Sequence, residues 1–377
     1  MNVSCLQENL TKGLNIVGRA VAARSTLPIT ANVLLATEDG RLKLAATNLE
    51  IALTCWIGAQ VEEEGAITVP ARLLTDFVSS LPSEKIDMTL APRSRQLKLV
   101  CARNQATIAG VDADDFPPIP TVEDSGSVQL EPQELHSAIA QVIIAAATDD
   151  SRPVLTGVDT VVEKDRLTFA AADGFRLSVR HVNLPKPVDE RLEVIIPARA
   201  LTELNRLLPD ESDPVELTLN STRTQALFRL KNAELVAQLV QGTFPNYGQL
   251  IPDEHTSKAV VDVAEFLRET RTASIFARDG SGIVRLQFAP GEDVQMGKMT
   301  ISARAEEIGD NVGELDAQVE GEADKIAFNS RYLQDFLQVL EGGRVTLEMS
   351  GSTRQGVLRP VGDENFVHVL MPMVVQW

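Results

Sequence analysis

Three stretches decide the fold of this chain: VPARLLTDFVSSLP at 69–82, IPARALTELNRLLP at 196–209 and, more divergent, FNSRYLQDFLQVLE at 328–341. Offsets +1, +2, +5, +6 and +9 from the shared Arg72, Arg199 and Arg331 fall on Leu73, Leu74, Phe77, Val78 and Leu81 in the first copy. They fall on Ala200, Leu201, Leu204, Asn205 and Leu208 in the second, and on Tyr332, Leu333, Phe336, Leu337 and Leu340 in the third. With Asn205 as the one polar exception, this spacing predicts an amphipathic helix in each copy. Pro70 and Pro197 stand where a first helical residue tolerates proline. At ~1.5 Å per residue each helix would be about 20 Å long. A β-like run precedes each one: AITV, LEVII and KIAF.

Other markers recur in the same order. A strand, acidic turn and strand precede each helix, in TCWIGAQVEEEGAITV, VRHVNLPKPVDERLEVII and ELDAQVEGEADKIAF. Further upstream lie LKLAATNLEIAL (42–53), LTFAAADGFRLSV (167–179) and KMTISARAEEI (298–308). Each unit opens on a longer helical run, QENLTKGLNIVGRAVAAR, EPQELHSAIAQVIIAAA or DVAEFLRETRTASIFAR, and closes near Phe116, Phe244 or Phe366. A period near 125 residues exceeds the 20–50 of a solenoid, so each copy is a domain. The predicted divisions are 1–120, 127–252 and 253–377, separated by the short, polar, proline-containing stretches PPIPTVEDSG and PDEHTSK. The fold class is α+β: three similar domains, each with two helices on antiparallel sheets of about eight short strands.

Composition narrows the function. The chain has 377 residues, 44% of them hydrophobic, with no apolar run approaching the 18 or so of a membrane span. The N-terminal MNVSCLQENLTKG has no basic region leading into an apolar stretch, so no secretory signal is expected. Cys5, Cys55 and Cys101 are odd in number and form no C-x-x-C, which suits a reducing, cytoplasmic setting. A net charge of −18, taken alone, argues against binding nucleic acid.

Catalytic chemistry is missing from the pattern. His136, His181, His255 and His368 are scattered, and none makes H-E-x-x-H or a metal-ligand spacing. There is no G-x-S-x-G elbow and no Walker loop, and GSGIVR (280–285) reads as a hairpin turn. DADD (112–115) could hold Mg²⁺ through its carboxylates, but a solvated turn before Phe116 is the preferred reading. The stretch 305–324 carries eight acids and no base, the pattern of an exposed acidic face. No catalytic residue, metal or cofactor is expected.

The stretches RSTLPITANVLL (24–35), SRPVLTGV (151–158), AADGFRLSV (171–179), FPNYGQLIP (244–252) and VLMPM (369–373) resemble the bacterial DNA polymerase III β subunits, the β sliding clamps. The resemblance spans the whole chain. It implies a head-to-tail homodimer closed into a six-domain ring, with the repeated helices lining a hole that admits double-stranded DNA without sequence preference. It implies a processivity factor that is not itself an enzyme. Its partners would be the DNA polymerase III α subunit, clamp-loader subunits, other polymerases and mismatch-repair proteins, all docking through short peptides. The setting would be the bacterial cytoplasm, at the nucleoid during replication.

The same resemblance places a peptide groove between the second and third domains. Its walls would be Leu155, Ala172, Gly174, Phe175, Arg176, Leu177, Pro245, Gln249 and Leu250, then Val369, Met371, Pro372, Met373, Val374 and Val375, with Thr353 and Gln355 less securely aligned. An apolar pocket with adaptable methionines suits many related peptides. Phe175 and Ala172 stand where many relatives carry histidine and threonine, and Gln376 and Trp377 run past the usual end, where Trp377 would cover or extend the groove. Arg24 matches a DNA-contacting position, and Arg19, Arg72, Arg199 and Arg206 would be further weak phosphate contacts, with a solvated surface arginine the alternative reading of each. Ile108, Ile275 and Phe276 match the ring-closing interface.

The acidic charge is compatible with this reading. The presumed inner helices, 7–24, 70–82, 131–147, 197–209, 262–278 and 329–341, carry nets of +2, 0, −2, +1, 0 and −1, so their 91 residues are neutral and the other 286 hold the whole −18. Tight binding by counterion release would hinder sliding, whereas a topological tether needs only weak contact and a high local concentration. Two other readings stay open at this point: a multidomain enzyme with a dispersed site, and a peptide-binding scaffold that never encircles DNA.

Overall fold

A computed structural model describes the chain apart from residues 23–26, 92, 121–126, 278–281, 292–295, 306–308 and 377. Six α-helices are present among the described residues. They are α1 (Gln7–Val17), α2 (Ala71–Ser79), α3 (Pro132–Ile143), α4 (Ala198–Asn205), α5 (Val263–Ala277) and α6 (Ser330–Gln338). They fall in the six expected places, two per repeat, but the three copies of the repeated helix are shorter than expected. At nine, eight and nine residues they span about 12–14 Å at ~1.5 Å per residue. Pro82 and Pro209 help explain this, because a residue before proline is disfavoured in helical conformation and the preceding turn unwinds.

Pro70 and Pro197 are not first helical residues, as expected from the sequence. Each is the last residue of a strand, Ala66–Pro70 or Leu192–Pro197, and the helix begins one residue later. The apolar stripe is also narrower at one edge. Leu74 and Val78 are fully buried, whereas Leu73 is 54% exposed. Asn329 caps α6, its side chain accepting from the Arg331 N–H at 2.9 Å. The helical run predicted through 24 ends as α-helix at Val17 and continues only as the 3-10 turn Gly18–Ala20.

The described residues group into two units, Met1–Pro132 with Arg199–Leu239, and Gln133–Ala198 with Val240–Trp377. In the first, an antiparallel five-stranded sheet runs Gln60–Glu63, Asn2–Leu6, Lys85–Ala91, Gln96–Cys101, Asn104–Ala109, the last a free edge among the described residues. An eight-stranded sheet runs Val128–Leu130, Val215–Leu219, Gln225–Arg229, Ala233–Gln238, Ile51–Gly58, Arg41–Thr47, Asn32–Glu38, Ala66–Pro70. Helix α1 lies tightly on this sheet at Gly13, where an added Cβ would come 3.1 Å from Leu44 and 3.2 Å from Ile57. The buried Gln7 amide donates to the Val78 carbonyl at 2.8 Å, tying α1 to α2. All three thiols are buried, and burial pushes Cys5 and Cys55 up to about 12, so these are core residues.

The second unit carries a twelve-stranded antiparallel sheet. Its order is Leu192–Pro197, Gly157–Glu163, Arg166–Ala172, Arg176–Asn183, Phe366–Leu370, Gly356–Pro360, Arg344–Met349, Ser257–Asp262, Gly309–Gly321, Gly297–Ala305, Ile283–Ala289, Asp324–Asn329. Helices α5 and α6 close one core, in which Phe266, Phe328, Leu333 and Phe336 pack with Val284, Leu286 and Ile301. Of the acidic stretch 305–324, residues 306–308 lie outside the described residues, and Gly309–Gly321 form a long strand on which Asp310, Glu314, Asp316 and Glu320 are exposed while Leu315 and Ala317 turn inward.

One junction is used twice. The last strand of the second repeat, Ala233–Gln238, pairs with Ile51–Gly58 of the first through five residue pairs. The last strand of the third, Phe366–Leu370, pairs with the corresponding Arg176–Asn183 of the second, again through five. Neighbouring repeats are therefore joined by continuous backbone hydrogen bonding. The corresponding strand of the third repeat is Gly309–Gly321. Its 309–317 half pairs with Gly297–Ala305 on one side, and only 318–321 pair on the other, with Ser257–Asp262.

Candidate functional site

The expected groove residues converge in the second unit. Strand pairing sets Ala172 opposite Leu177, Leu177 opposite Val369 and Val369 opposite Val357, one apolar row across four strands. Ala170, Leu177, Val179, Val357, Val367 and Val369 form one cluster, with Ala172, Tyr247 and Ile251 packed against it. Leu155 belongs to an adjoining cluster with Ala147, Ile195 and Phe244, which Ala172 and Tyr247 also touch. Tyr247 thus bridges both clusters, its ring edge-on to Phe244 at 6.2 Å.

The rim is set by Asp173, Gly174 and Arg176. The Asp173 carboxylate accepts from the Phe175 and Arg176 N–H groups at 2.8 and 3.0 Å and from Arg176 Nε at 3.0 Å. Gly174, at φ +94°, occupies backbone space costly to other residues, and an added Cβ would meet Arg152 Nη1 at 2.9 Å. Arg152 in turn donates to the Asp173 carbonyl at 2.8 Å. Arg176 donates through Nη1 to Asp335 of α6 at 2.7 Å, and its guanidinium lies 4.2 Å from the Tyr332 ring centroid. Phe175, 55% exposed, tilts against Tyr332 at 6.4 Å. The result is an exposed aromatic surface on a part-buried, charge-compensated base.

The terminal residues differ among themselves. Met371 N–H donates to the Phe175 carbonyl at 2.8 Å, extending the strand along the rim, and Met373 N–H donates to the Ala327 carbonyl at 2.8 Å. Pro372 and Val375 are half-buried, and Val374 is 97% exposed. On the other side, Gln355 donates to the Leu250 carbonyl at 3.2 Å, and Gln249 and Gln355 both line a cavity of about 270 Å³. Pro245 is exposed between Phe244 and Tyr247. Thr353 and Val374 are exposed and stand outside these contacts, and Trp377 lies outside the described residues.

Beneath the site sit two buried titratable groups. His368 is fully buried, shares a 2.7 Å hydrogen bond with Ser178 and stacks on Phe336 at 4.9 Å. Burial, and then the nearby Arg176 charge, push it down to about 3, so it is neutral. Asp159 is 5% exposed and stands opposite Ala170 and Ile195 across the strands. Burial, and then Glu193, raise its carboxyl to about 6.

Arg24 lies outside the described residues. The other four arginines belong to the first unit. Arg72, Arg199 and Arg206 reach Asp76 at 3.9 Å, Glu50 at 3.7 Å and Glu203 at 2.9 Å. Arg19 is half-buried, and its Nη1 has no hydrogen-bond partner among the described residues. Of the interface residues, Ile275 is 53% exposed and Phe276 packs partly on the core. Ile108 is 4% exposed and faces inward opposite Leu97, so its apolar character serves its own chain's core and the free edge offers backbone there.

Sequence reasoning did not single out Tyr247, Asp173 or Asp335, and it read Tyr332 only as part of an apolar helix stripe. One signal was present. An acid stands at offset +4 in all three helix copies, Asp76, Glu203 and Asp335. Asp76 pairs with Arg72 of its own helix, Glu203 with Arg206 just past the end of its helix, and Asp335 holds Arg176.

Models of the DNA polymerase III β subunit match in three consecutive parts: the N-terminal domain at 1–120, the central domain at 129–246 and the C-terminal domain at 248–374. The β sliding clamp of Synechococcus elongatus is 32% identical, and that of Bacillus subtilis 30%, each over 99% of both chains. Among solved structures, a DNA polymerase sliding clamp from Bacillus subtilis superposes with a TM-score of 0.93 at 28% identity, covering 100% of both chains. The DNA polymerase III β subunit of Pseudomonas aeruginosa does so with 0.90 at 28%, again over 100% of both. The chain belongs to the bacterial DNA polymerase III β-subunit family, the β sliding clamps.

Proposed function

We propose that this chain is the processivity clamp of a replicative DNA polymerase, two copies closing head to tail into a ring around duplex DNA. The observation that carries this is the twice-used junction. Two of its three possible uses are filled within the chain, which leaves, among the described residues, Asn104–Ala109 as a free edge and the 309–317 half of Gly309–Gly321 unpaired on one side. A second copy fills both vacancies, and two such joints close a cycle of six repeats. Charge agrees, since Arg95, Lys98 and Arg103 flank one edge and Asp310, Glu314 and Asp316 the other. Domain limits of 1–120, 127–252 and 253–377 fit this scheme.

Function then needs no catalysis. DNA is held by enclosure, with weak contacts from Arg19, Arg24, Arg72, Arg199 and Arg206, while the acidic remainder keeps phosphate off the outer surface. The Leu177–Val369 row and the Phe175–Tyr332 shelf receive apolar and aromatic side chains of short peptides from polymerase α subunit, clamp-loader subunits, other polymerases and mismatch-repair proteins. The protein would act in the cytoplasm, at the nucleoid. The test is to load the protein onto nicked circular plasmid with a clamp loader and then cut the plasmid. A ring stays on circles and leaves linear DNA; equal retention on both forms would contradict enclosure.

A further inference from the structure

The frame beneath the proposed peptide groove occurs a second time, wholly within the first unit. In the second unit the row Ala172, Leu177, Val369 and Val357 crosses four strands. In the first, Thr47, Ala52, Val236 and Leu227 stand opposite one another in the same order across four strands. The rim turn also recurs. Asn48 Oδ1 accepts from the Glu50 and Ile51 N–H groups at 3.0 and 2.8 Å, as Asp173 does from Phe175 and Arg176. Gln238 N–H donates to the Glu50 carbonyl at 2.8 Å, as Met371 N–H does to that of Phe175. Ile119 packs on Ala52, Leu227 and Val236, as Tyr247 packs on the other row.

The lining chemistry differs. Ala52 stands in place of Leu177, Ile119 of Tyr247, Glu50 of Phe175 and Gln238 of Met371, so the floor is lower, the aromatic shelf is gone and the rim is polar. A cavity of about 210 Å³ opens there, walled by Leu49, Ala52, Val236 and the prolines 117, 118 and 120. It is smaller than the roughly 300–1,000 Å³ of small-molecule sites and matches a single aliphatic side chain.

Leu49 stands where the other rim has Gly174. Its φ is +76°, and its side chain is 51% exposed. Positive φ disfavours a bulky residue, and exposure leaves its apolar surface in water. Folding of the free chain therefore does not account for a leucine here, whereas an apolar group covering it does. Glu50 is the one charged residue among the described lining residues. Its carboxylate meets Arg199 only at 3.7 Å, beyond hydrogen-bonding distance, with both side chains mostly exposed. Water and salt screen such a contact, and the carboxylate can still accept hydrogen bonds from a cation.

We propose that this groove docks a short extended segment of a partner protein that carries a compact aliphatic side chain beside a lysine or arginine. The aliphatic group fills the space over Ala52 and Val236 against Leu49, and the cation pairs with Glu50. The proposal rests on the reading of the Leu177–Val369 row as a peptide groove and adds a second docking point with a different preference.

The test is fluorescence polarisation of the full-length protein with the labelled, end-blocked peptide Gly-Lys-Leu-Ile-Lys-Gly, which has no aromatic group for the Phe175 shelf. Gly-Glu-Leu-Ile-Glu-Gly and Gly-Lys-Ser-Ser-Lys-Gly serve as comparisons. Saturable binding of the first is expected, with the other two weaker by roughly tenfold. Glu50→Lys should reverse the preference between the lysine and glutamate peptides. Leu49→Gly should weaken the first by roughly fivefold while the melting temperature holds or rises, because glycine relieves the positive φ. Phe175→Ala should leave this binding unchanged. Loss with Phe175→Ala but not with Glu50→Lys would put the peptide in the Leu177–Val369 row, which overturns the second groove and leaves the first intact. Absence of saturable binding, or equal affinity in wild type, Glu50→Lys and Leu49→Gly, also overturns the proposal. So does dissociation of the dimer by Leu49→Gly on sedimentation, which would mean that a second copy covers the groove.

Discussion

Arg176 shows how much one residue holds here. Its side chain is 10% exposed, touches Asp173 and Asp335 and stacks on Tyr332. Replacing it with methionine keeps bulk but strands two part-buried carboxylates, a change that costs about 3 kcal/mol in comparable settings. Urea unfolding should show that loss, and fluorescence polarisation should show partner-peptide affinity at least tenfold weaker. Asp159→Asn should act in the opposite direction. The carboxyl's folded value, about 6, lies above its unfolded one, so the native state binds the proton more strongly. Wild-type stability from this group is present in acid and lost as pH rises through about 6. The variant should therefore gain roughly 2 kcal/mol at pH 7 and nothing below about pH 4, readable from melting curves at the two pH values. His368 has the reverse sign. Held near 3 in the fold, it makes the protein lose up to about 1.4 kcal/mol per unit as pH falls below about 6.5.

At the scale of elements, the three copies of one helix have diverged in how they start and in what their acid does. Only α6 shows a side-chain cap of the two whose N-caps are described in full, since Pro70 offers α2 none. Asn329→Ala should cost about 1 kcal/mol in chemical unfolding, with peptide affinity falling as well because α6 carries Tyr332 and Asp335. An unchanged unfolding midpoint would mean that the strand Asp324–Asn329 alone holds the helix start. The helices and strands were legible because their signals are local: an apolar period of 3.6, a β-like run before each copy, a proline after two of them. Their ends were less so. Whether Pro70 closes a strand or opens a helix depends on its pairing with Asn32, a residue 38 positions earlier in the chain.

For the whole molecule, closure and peptide capture should be separable. Ile275 is exposed and α5 is already packed by its other face, so Ile275→Arg should leave the melting temperature within a degree or two of wild type. Sedimentation should show the dimer dissociating at least 100-fold more readily, retention on circular plasmid should be lost, and peptide affinity should stay unchanged. A variant that remains a dimer would remove Ile275 from the interface.

The repeat and its period, the α+β class and the apolar character of the proposed groove segments are written in the sequence, because each depends on residues close together in the chain. Tertiary structure decided the rest. Arg176 and Asp335 are 159 residues apart, and nothing local to either predicts their meeting. Ile108 and Leu73 are both apolar, yet one is core and the other surface, since burial depends on which neighbours cover a face. The unfilled junction is likewise a property of pairing: a strand's free edge exists only once every other strand has found its partner.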